Sequence, residues 1–296
     1  MNATAVRRVN AAQVCEAVQT RFTGFELAVG SWAERQGAGL RFAHEFVRFG
    51  VKQGWACLFG GLMLALLIAT HFLYPKGAAL PRYDFLLAAA IALQLGMLAL
   101  KLETLDEAKV ILAFHIIGTI MEIFKTSAGS WIYPEPSYFR IAGVPLFTGF
   151  MYAAVGSYIA RCWRLFDFQF SRHPPLWALW FLAAAIYVNF FTHHYVADAR
   201  VLLFAGAIAL FGPCTIHFKV WRAHRRMPLL LGLVLVALFI WFAENIGTFT
   251  AAWVYPSQAR GWHAVSIAKL GSWFLLMIIS YVLVASVNRP TRYQRR

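Results

Sequence analysis

Charged residues are scarce in this sequence, and acidic residues are the scarcest of them. Only 14% of the 296 residues are charged, with 13 Asp and Glu against 27 Lys and Arg. A soluble globular domain carries about a quarter of its residues as charges, because its surface must be hydrated. The hydrophobic residues make up 60% of the chain and lie in long blocks. This composition excludes an ordinary soluble domain and is typical of membrane-spanning helices.

Sequence motifs for nucleotide, hydrolase and metal chemistry are also missing. The chain contains no P-loop, GxGxxG, GxSxG or HExxH pattern. The net charge of +14 is explained by basic loops facing an anionic inner leaflet, so we expect no nucleic-acid partner. The cysteines lack CxxC spacing and are interpreted as small apolar residues: Cys15, Cys57, Cys162 and Cys214. We expect no cofactor.

Apolar blocks long enough to cross a membrane as helices occur eight times. They predict an all-α, polytopic helical membrane protein with about eight transmembrane helices. The predicted spans are 55–74, 84–101, 110–124, 143–163, 176–192, 199–217, 228–246 and 263–287.

The distribution of Lys and Arg predicts the orientation of these spans. With the N-terminus inside, the cytoplasmic segments carry 20 of these residues and the outer loops carry six, with Lys269 inside the last span. This bias follows the positive-inside rule. We therefore expect a multi-pass inner-membrane protein with both termini cytoplasmic. A basic, partly amphipathic region over 1–54 precedes the membrane domain 55–288, and a basic tail covers 289–296.

An internal similarity at an offset of 122 positions suggests gene duplication. It predicts two parallel four-helix repeats, 55–163 and 176–287, related by a pseudo-twofold axis along the membrane normal. The residues that coincide are Glu122 with Glu244, Thr126 with Thr248, Trp131 with Trp253, Tyr133 with Tyr255, Pro134 with Pro256, and Thr70-His71 with Thr192-His193.

Two acidic residues inside apolar blocks are the principal candidate site. Glu122 ends one block and has His115 two helical turns earlier, and Glu244 occupies the same place in the second repeat. A carboxyl group in hydrocarbon is costly unless it faces a cavity, pairs, or stays protonated. This placement suits a proton donor or relay. The alternative is a carboxylate at a helix end, bonded to the following loop.

Lys269, within the last span, has two interpretations. The simpler is an ion pair with Glu244 that clamps two helices, in which case Lys269→Met should destabilise the protein. The other is contact with an anionic substrate, in which case the same change should abolish activity and spare folding.

A metal site and an aromatic pocket are the remaining candidates. Interfacial histidines bonded to loop carbonyls are the simpler explanation for the possible metal ligands, which are His71, His193, His194 and Asp198. An aromatic belt at the outer interface is the simpler explanation for the repeated aromatic residues. Walls of a pocket for a flat apolar ligand are the alternative for that set, which is Trp131, Tyr133, Trp253 and Tyr255.

The stretches 115–134, 144–152 and 241–256 resemble a bacterial family of multi-pass proteins without assigned function, the YoaT-like family or domain of unknown function 817. The resemblance covers nearly all of residues 40–288. It implies an integral membrane location and supplies no activity.

A second and shorter stretch is similar to carotenoid hydratase-type membrane proteins. It comprises a helix-end acid, a glycine turn, an aromatic pair and a Gly-Val-Pro-Leu segment, here Glu122, Gly129, Trp131, Tyr133 and 143–146, with spacing that departs in several places. This resemblance implies that Glu122 protonates an isoprenoid double bond.

Three functions remain open from the sequence. The first is an enzyme or binding protein for a lipophilic molecule, such as an isoprenoid, with Glu122 and Glu244 as proton donors or polar anchors. The second is a proton-coupled transporter with an axial path between the repeats. The third is a scaffold without chemistry. Membrane lipids and a lipophilic or small-molecule substrate are the expected partners.

Overall fold

The computed structural model describes residues 28–294, which form mainly helices. Nine long helices are α1 Ala38–Ala56, α2 Leu58–Leu73, α3 Arg82–Ala99, α4 Leu105–Ser127, α5 Phe147–Leu165, α6 Leu176–Thr192, α7 Arg200–Phe211, α8 Leu229–Phe249 and α9 Ala268–Asn288. Residues 28–35 are also helical, and Pro256–Gln258 forms a 3-10 turn. The strands are β1 Arg140–Ile141, β2 Val144–Pro145, β3 Gln169–Ser171, β4 Thr215–Lys219, β5 His224–Pro228 and β6 Thr291–Arg292.

The described chain forms two compact units. The smaller unit comprises 28–51 with 220–223 and is built around Trp221. The Trp221 indole N–H donates to Glu34 at 3.0 Å, and the Arg48 guanidinium lies 4.5 Å from its ring. The larger unit comprises 52–219 with 224–294 and contains α2 to α9.

Several helices of the larger unit have membrane-spanning length and composition. Four are long and apolar enough to cross a membrane, namely α3, α4, α8 and α9, and a fifth span results if the bent pair α1 and α2 is counted as one. The apolar helices α6 and α7 are shorter, and α5 is 19 residues long with Arg161 and Arg164 near its end. These helices indicate a mostly helical membrane protein.

Local sequence explains where these helices begin. Thr104 caps α4 by accepting a bond from the Glu107 N–H, while the Glu107 carboxylate accepts one from the Thr104 N–H. Prolines stand directly before α3, α6 and α8, where the missing N–H does least harm: Pro81, Pro175 and Pro228.

The loops of the larger unit contact one another in two groups, which we call the first and the second layer. In the first layer the loops after α2, α4, α6 and α8 contact one another. For example, Arg82 donates to the Thr250 carbonyl at 2.9 Å, and Ser137 donates to Asp84 at 2.8 Å. In the second layer, the Lys52 ammonium donates to the carbonyls of Leu165 and Lys219 at 2.7 and 2.9 Å.

A four-stranded sheet in the second layer departs from the all-helical prediction. Its strand order is β5-β4-β3-β6, with β3 and β6 parallel and the other pairs antiparallel. The predicted span 199–217 is helical only over Arg200–Phe211, and its remainder forms β4. Pro213 has no N–H to extend the helix, and the apolar, β-branched segment that follows was wrongly included in the helix.

The helix α9 packs against α4, α5, α6 and α8 and forms much of the core. Between α4 and α5, glycines permit close packing: a Cβ at Gly118 would lie 2.6 Å from the Tyr152 ring, and one at Gly156 would lie 2.6 Å from the Phe114 ring. These contacts fix Tyr152 against α4, one turn from Glu122.

Candidate functional site

Glu122 is almost fully buried, with 5% of its surface exposed, and it accepts three side-chain hydrogen bonds. Its Oε2 accepts from the Trp131 indole N–H at 2.7 Å and from the Tyr133 hydroxyl. Its Oε1 accepts from the Tyr152 hydroxyl at 2.6 Å. Two of these donors lie in the loop after α4 and the third lies in α5. The carboxyl group therefore connects α4, the loop that follows it, and α5.

Glu244 is equally buried, with 3% exposed, and accepts two such bonds. Its Oε1 accepts from the Tyr255 hydroxyl and its Oε2 from the Trp273 indole N–H. Tyr133 and Tyr255 each stand eleven residues after their glutamate. Trp253, by contrast, lies against Gly247, where an added Cβ would be 2.1 Å from its ring.

The turn that follows each acidic helix has the same geometry. After α4, Gly129 has φ +68° and the Ser130 N–H donates to the Lys125 carbonyl at 2.9 Å. After α8, Ala251 has φ +53° and the Ala252 N–H donates to the Gly247 carbonyl at 3.0 Å. The left-handed residue reverses the chain and returns the following aromatic residues towards the acid.

Aromatic contacts connect the two carboxyl groups into a closed ring of six side chains. The Trp131 and Tyr255 ring centroids lie 6.0 Å apart, and those of Tyr152 and Trp273 lie 6.4 Å apart. The order around the ring is Glu122, Trp131, Tyr255, Glu244, Trp273 and Tyr152. We call these six residues the carboxyl–aromatic ring.

The loop tyrosines at this site are hydrogen donors at neutral pH. Burial, and next the charge of the bonded glutamate, raise the pKa of Tyr133 and of Tyr255 well above the ordinary phenol value. Both hydroxyl groups therefore keep their protons.

A small apolar cleft lies beside the ring, between α4 and α5 on one side and α8 and α9 on the other. Tyr152 and Trp273 belong both to its lining and to the carboxyl–aromatic ring. Further lining residues are Phe114, Gly118, Met121, Val155, Ile240, Leu276, Ser280 and Leu283.

Lys269 does not form the ion pair with Glu244 that the sequence suggested. Within residues 28–294 it has no carboxylate at ion-pair distance. Its ammonium instead lies 4.4 Å from the Tyr255 ring centroid and 5.8 Å from that of Trp131. The aromatic faces stabilise the cation and leave its N–H donors available.

His115 lies near α5 and outside the carboxyl–aromatic ring. Its ring packs 4.6 Å from that of Phe150, and a Cβ on Gly149 would lie 2.3 Å from its Nδ1. Within the described residues that Nδ1 has no hydrogen-bond partner. The sequence placed His115 together with Glu122, but within the described residues the structure gives no contact between the two side chains.

The four possible metal ligands are not brought together as one set, although the rings of His193 and His194 lie 4.2 Å apart. His71 faces the Thr250 carbonyl, and Asp198 pairs with Arg200 at 2.7 Å. His193 and His194 lie 3.4 and 2.9 Å from the Lys125 ammonium. No group of three or more His, Cys, Asp or Glu side chains between residues 28 and 294 is arranged to hold a metal ion.

Sequence reasoning did not select Tyr152, Trp273 or Lys125 as site residues. Tyr152 and Trp273 are each the sixth residue of the helix that follows an acid-bearing helix. The sequence feature that could have identified them is an aromatic residue with a polar hydrogen, six residues into the helix that follows an acid-bearing helix. Lys125 stands one turn after Met121 on α4, and the short predicted span ended before it.

These features define a mostly helical protein with candidate membrane spans and two buried, hydrogen-bonded carboxyl groups beside an apolar cleft. The chain belongs to the family described as Protein of unknown function (DUF817), which matches residues 45–281. It is 44% identical over 250 residues to Uncharacterized protein YoaT of Bacillus subtilis (strain 168), covering 84% of this chain and 94% of that relative. The family predicted from the sequence is confirmed. No solved structure matches the chain.

Proposed function

We propose that this protein crosses the bacterial inner membrane eight times and binds a lipophilic molecule in the cleft between two four-helix repeats. Glu122 and Glu244 anchor the walls of that site through the carboxyl–aromatic ring. The observation that carries the proposal is that Tyr152 and Trp273 line the cleft and also donate to the two buried carboxyl groups.

The duplication is supported by equivalent contacts in the two halves. The Tyr133–Glu122 and Tyr255–Glu244 bonds have the same spacing, and both acidic helices end in the same turn. Ile132 and Val254, equivalent at the offset of 122, exchange backbone hydrogen bonds of 3.0 and 2.9 Å. A pseudo-twofold axis through this pair relates α2–α5 to α6–α9.

The eight crossings are supported by the two loop layers. The second layer contains the four-stranded sheet, whose strands carry Lys219, Arg225, Arg226 and Arg292. A basic layer belongs on the cytoplasmic side, which puts the carboxyl–aromatic ring in the outer half of the membrane and both termini inside. α7 is about 18 Å long, which is short of a bilayer core, and β4 continues the chain into the cytoplasmic layer.

The two acids differ in their ability to exchange protons with the cleft. Glu122 Oε1 meets the Tyr152 hydroxyl, which can both donate and accept a hydrogen bond. Glu244 Oε2 meets the Trp273 indole, which can only donate. If the protein transforms its ligand, Glu122 acts in its protonated form: it gives its proton to the Tyr152 oxygen while Tyr152 gives its hydroxyl proton to the ligand, and Glu122 is left as the carboxylate. Glu244 is then an anchor. An isoprenoid double bond is the acceptor that the shorter resemblance implies.

Ligand retention tests the binding function. The protein is purified from its native membrane in an uncharged detergent, and its organic extract is analysed by mass spectrometry. Val155→Trp fills the cleft and should lose a lipophilic compound that the wild-type protein retains. Val188→Trp is the matched control, because Val188 is 57% exposed and lies outside the cleft lining. Identical extracts from the wild-type and Val155→Trp proteins would refute the proposal.

A proton-coupled transporter is the second candidate, favoured by the equivalent placement of two acids. In that case Glu122→Gln and Glu244→Gln should each abolish uptake while binding persists. In the binding and enzyme function, only Glu122→Gln should prevent conversion, and Glu244→Gln should mainly weaken the site.

A further inference from the structure

Two lysines stand at one end of the apolar cleft. Lys125 follows the cleft residue Met121 by four positions on α4, and Lys269 precedes the cleft residue Trp273 by four positions on α9. Residues four apart share a helix face. Each lysine therefore lies one turn beyond the lining residues of its own helix, and the two helices form opposite walls of the cleft.

Neither lysine is neutralised by a bonded acid. Between residues 28 and 294, neither ammonium has a carboxylate at ion-pair distance. The Lys125 charge is instead opposed by the neighbouring positive charges of Lys269 and Arg200. Asp198, an acid that acts on Lys125, is already paired with Arg200 at 2.7 Å. Glu244 acts on Lys269 only at longer range, and its oxygens are occupied by Tyr255 and Trp273.

The contacts of the two lysines are with imidazole and aromatic rings. Lys125 is 5% exposed, and its ammonium lies 2.9 Å from His194 Nε2 and 4.3 Å from the Phe190 ring centroid. Burial and the charge of Lys125 lower the pKa of His194, so the imidazole is neutral and accepts the bond. Lys269 rests on the Tyr255 and Trp131 rings. Two cations that have no bonded acid, one of which acts electrostatically on the other, form a site for a negative charge.

The cleft below the lysines is apolar along its length. Its lining on α9 runs from Trp273 to Leu283, about 15 Å of helix. The Tyr152 and Trp273 hydrogens are directed to Glu122 and Glu244 and are not free to bind a polar ligand body. A ligand that fills the cleft and also reaches the two lysines must be apolar over most of its length and negatively charged at one end.

We infer that the natural ligand is an amphiphile whose anionic head group binds between Lys125 and Lys269 while its apolar chain occupies the cleft. This inference rests on the proposed function, because the chain site is the same cleft. A carboxylate or a phosphate head satisfies the two ammonium groups by charge-assisted hydrogen bonds.

Binding of two related probes tests the head-group site. The fluorescent polyene parinaric acid and its uncharged methyl ester are titrated into the purified full-length protein in an uncharged detergent. We expect the acid to bind about tenfold more tightly than the ester, the effect of one strong charge-assisted contact. Lys125→Gln and Lys269→Gln should each reduce this preference, and the double variant should remove it while leaving the affinity for the ester unchanged.

Lys109→Gln is the matched control, since Lys109 lies on the same helix and its side chain is 77% exposed. It should retain the full preference for the acid. Unchanged ester binding in the lysine variants also shows that they are folded.

The outcomes separate this inference from the proposed function. Equal binding of acid and ester, or a preference that survives in the double variant, overturns the head-group site and leaves the lipophilic cleft. If neither probe binds, the cleft assignment fails and the head-group site fails with it. If inorganic phosphate displaces the acid as effectively as an unlabelled fatty acid does, the lysines bind a free small anion and the amphiphile is refuted.

Discussion

Ile132 and Val254 exchange backbone hydrogen bonds, with N–H to carbonyl distances of 3.0 and 2.9 Å. They stand 122 positions apart, and each follows directly after the tryptophan of its loop. On either side of the pair, Trp131 contacts Tyr255 while Tyr133 packs in one cluster with Trp253. This two-residue bridge therefore holds the two acid-bearing loops together and sets the distance between the halves of the carboxyl–aromatic ring.

Removing one bond of this bridge should loosen the site. Val254→Pro deletes the N–H that donates to the Ile132 carbonyl and restricts the preceding backbone. We expect a loss of about 1 kcal/mol or more in the free energy of unfolding, measured by reversible unfolding in mixed detergent micelles. Val254→Ala keeps the N–H and is the control. Equal losses in the two variants would contradict a structural role for the bridge.

Gly118 should be required for the position of Tyr152. A Cβ at Gly118 would lie 2.6 Å from the Tyr152 ring, so Gly118→Ala should displace the hydroxyl from Glu122. We expect destabilisation by about 1–3 kcal/mol, the usual cost of overpacking, and weaker binding of the methyl ester probe. Gly96→Ala is the control, because nothing lies within 4 Å of its added Cβ. That change should be neutral or stabilising. A stable Gly118→Ala variant with normal probe binding would refute the prediction.

The helical part of this fold could be predicted because long apolar blocks allow few alternatives. The block 176–192 coincides with α6, and the other seven predicted spans each contain most of a helix. The four-stranded sheet could not be predicted in this way. Its strands are only two to five residues long. They pair with segments that are distant in sequence, such as β3 with β6, and the hydrophobic periodicity of a single sequence carries no information about such pairing.

The two acids and their loop tyrosines could be predicted because a carboxyl group in an apolar block needs partners nearby. Tyr152 and Trp273 could not, since an aromatic residue in an apolar helix carries no sign of the direction of its polar hydrogen. The simpler of the two interpretations of Lys269, an ion pair with Glu244, was wrong for a similar reason. Proximity in sequence suggested an ion pair with Glu244, but aromatic rings lie under the ammonium.

The indoles of Trp131 and Trp253 should differ in function although they occupy equivalent positions. Trp131 donates to Glu122, whereas Trp253 packs on Gly247. Lys125 stands where the other half has Gly247, so the first half lacks the glycine on which Trp253 packs. In double-mutant cycles, Trp131→Phe with Glu122→Gln should give a coupling energy of about 1.5–3 kcal/mol, the contribution of a bond to a charged group.

The matching cycle of Trp253→Phe with Glu244→Gln is the control and should give a coupling near zero. Unfolding in mixed micelles is again the measurement. Equal coupling energies in the two cycles would mean that the indoles have the same role, which would contradict the contacts in this structure.

The buried pair Arg161 and Glu103 should contribute more to stability than any surface ion pair. Both side chains are fully buried, with a closest nitrogen–oxygen distance of 4.0 Å, and Glu103 also accepts hydrogen bonds from Ser157 and Gln94. Glu103→Gln would remove the buried acid that acts most strongly on the Arg161 cation and leave only the weaker effect of Glu107, which is already paired with Arg164. We expect a loss of about 3–5 kcal/mol in the free energy of unfolding, as for other buried pairs that lose one partner.

Arg161→Met in the Glu103→Gln background should restore part of the lost stability, because it removes the stranded charge. The surface pair Lys109 and Asp106, at 2.8 Å with both side chains at least 75% exposed, provides the comparison. Asp106→Asn should leave the unfolding transition unchanged, since solvent screens such a pair. A Glu103→Gln variant as stable as Asp106→Asn would mean that Arg161 has another counter-charge or reaches water. A double variant less stable than Glu103→Gln alone would show that Arg161 stabilises the protein by packing rather than by its charge.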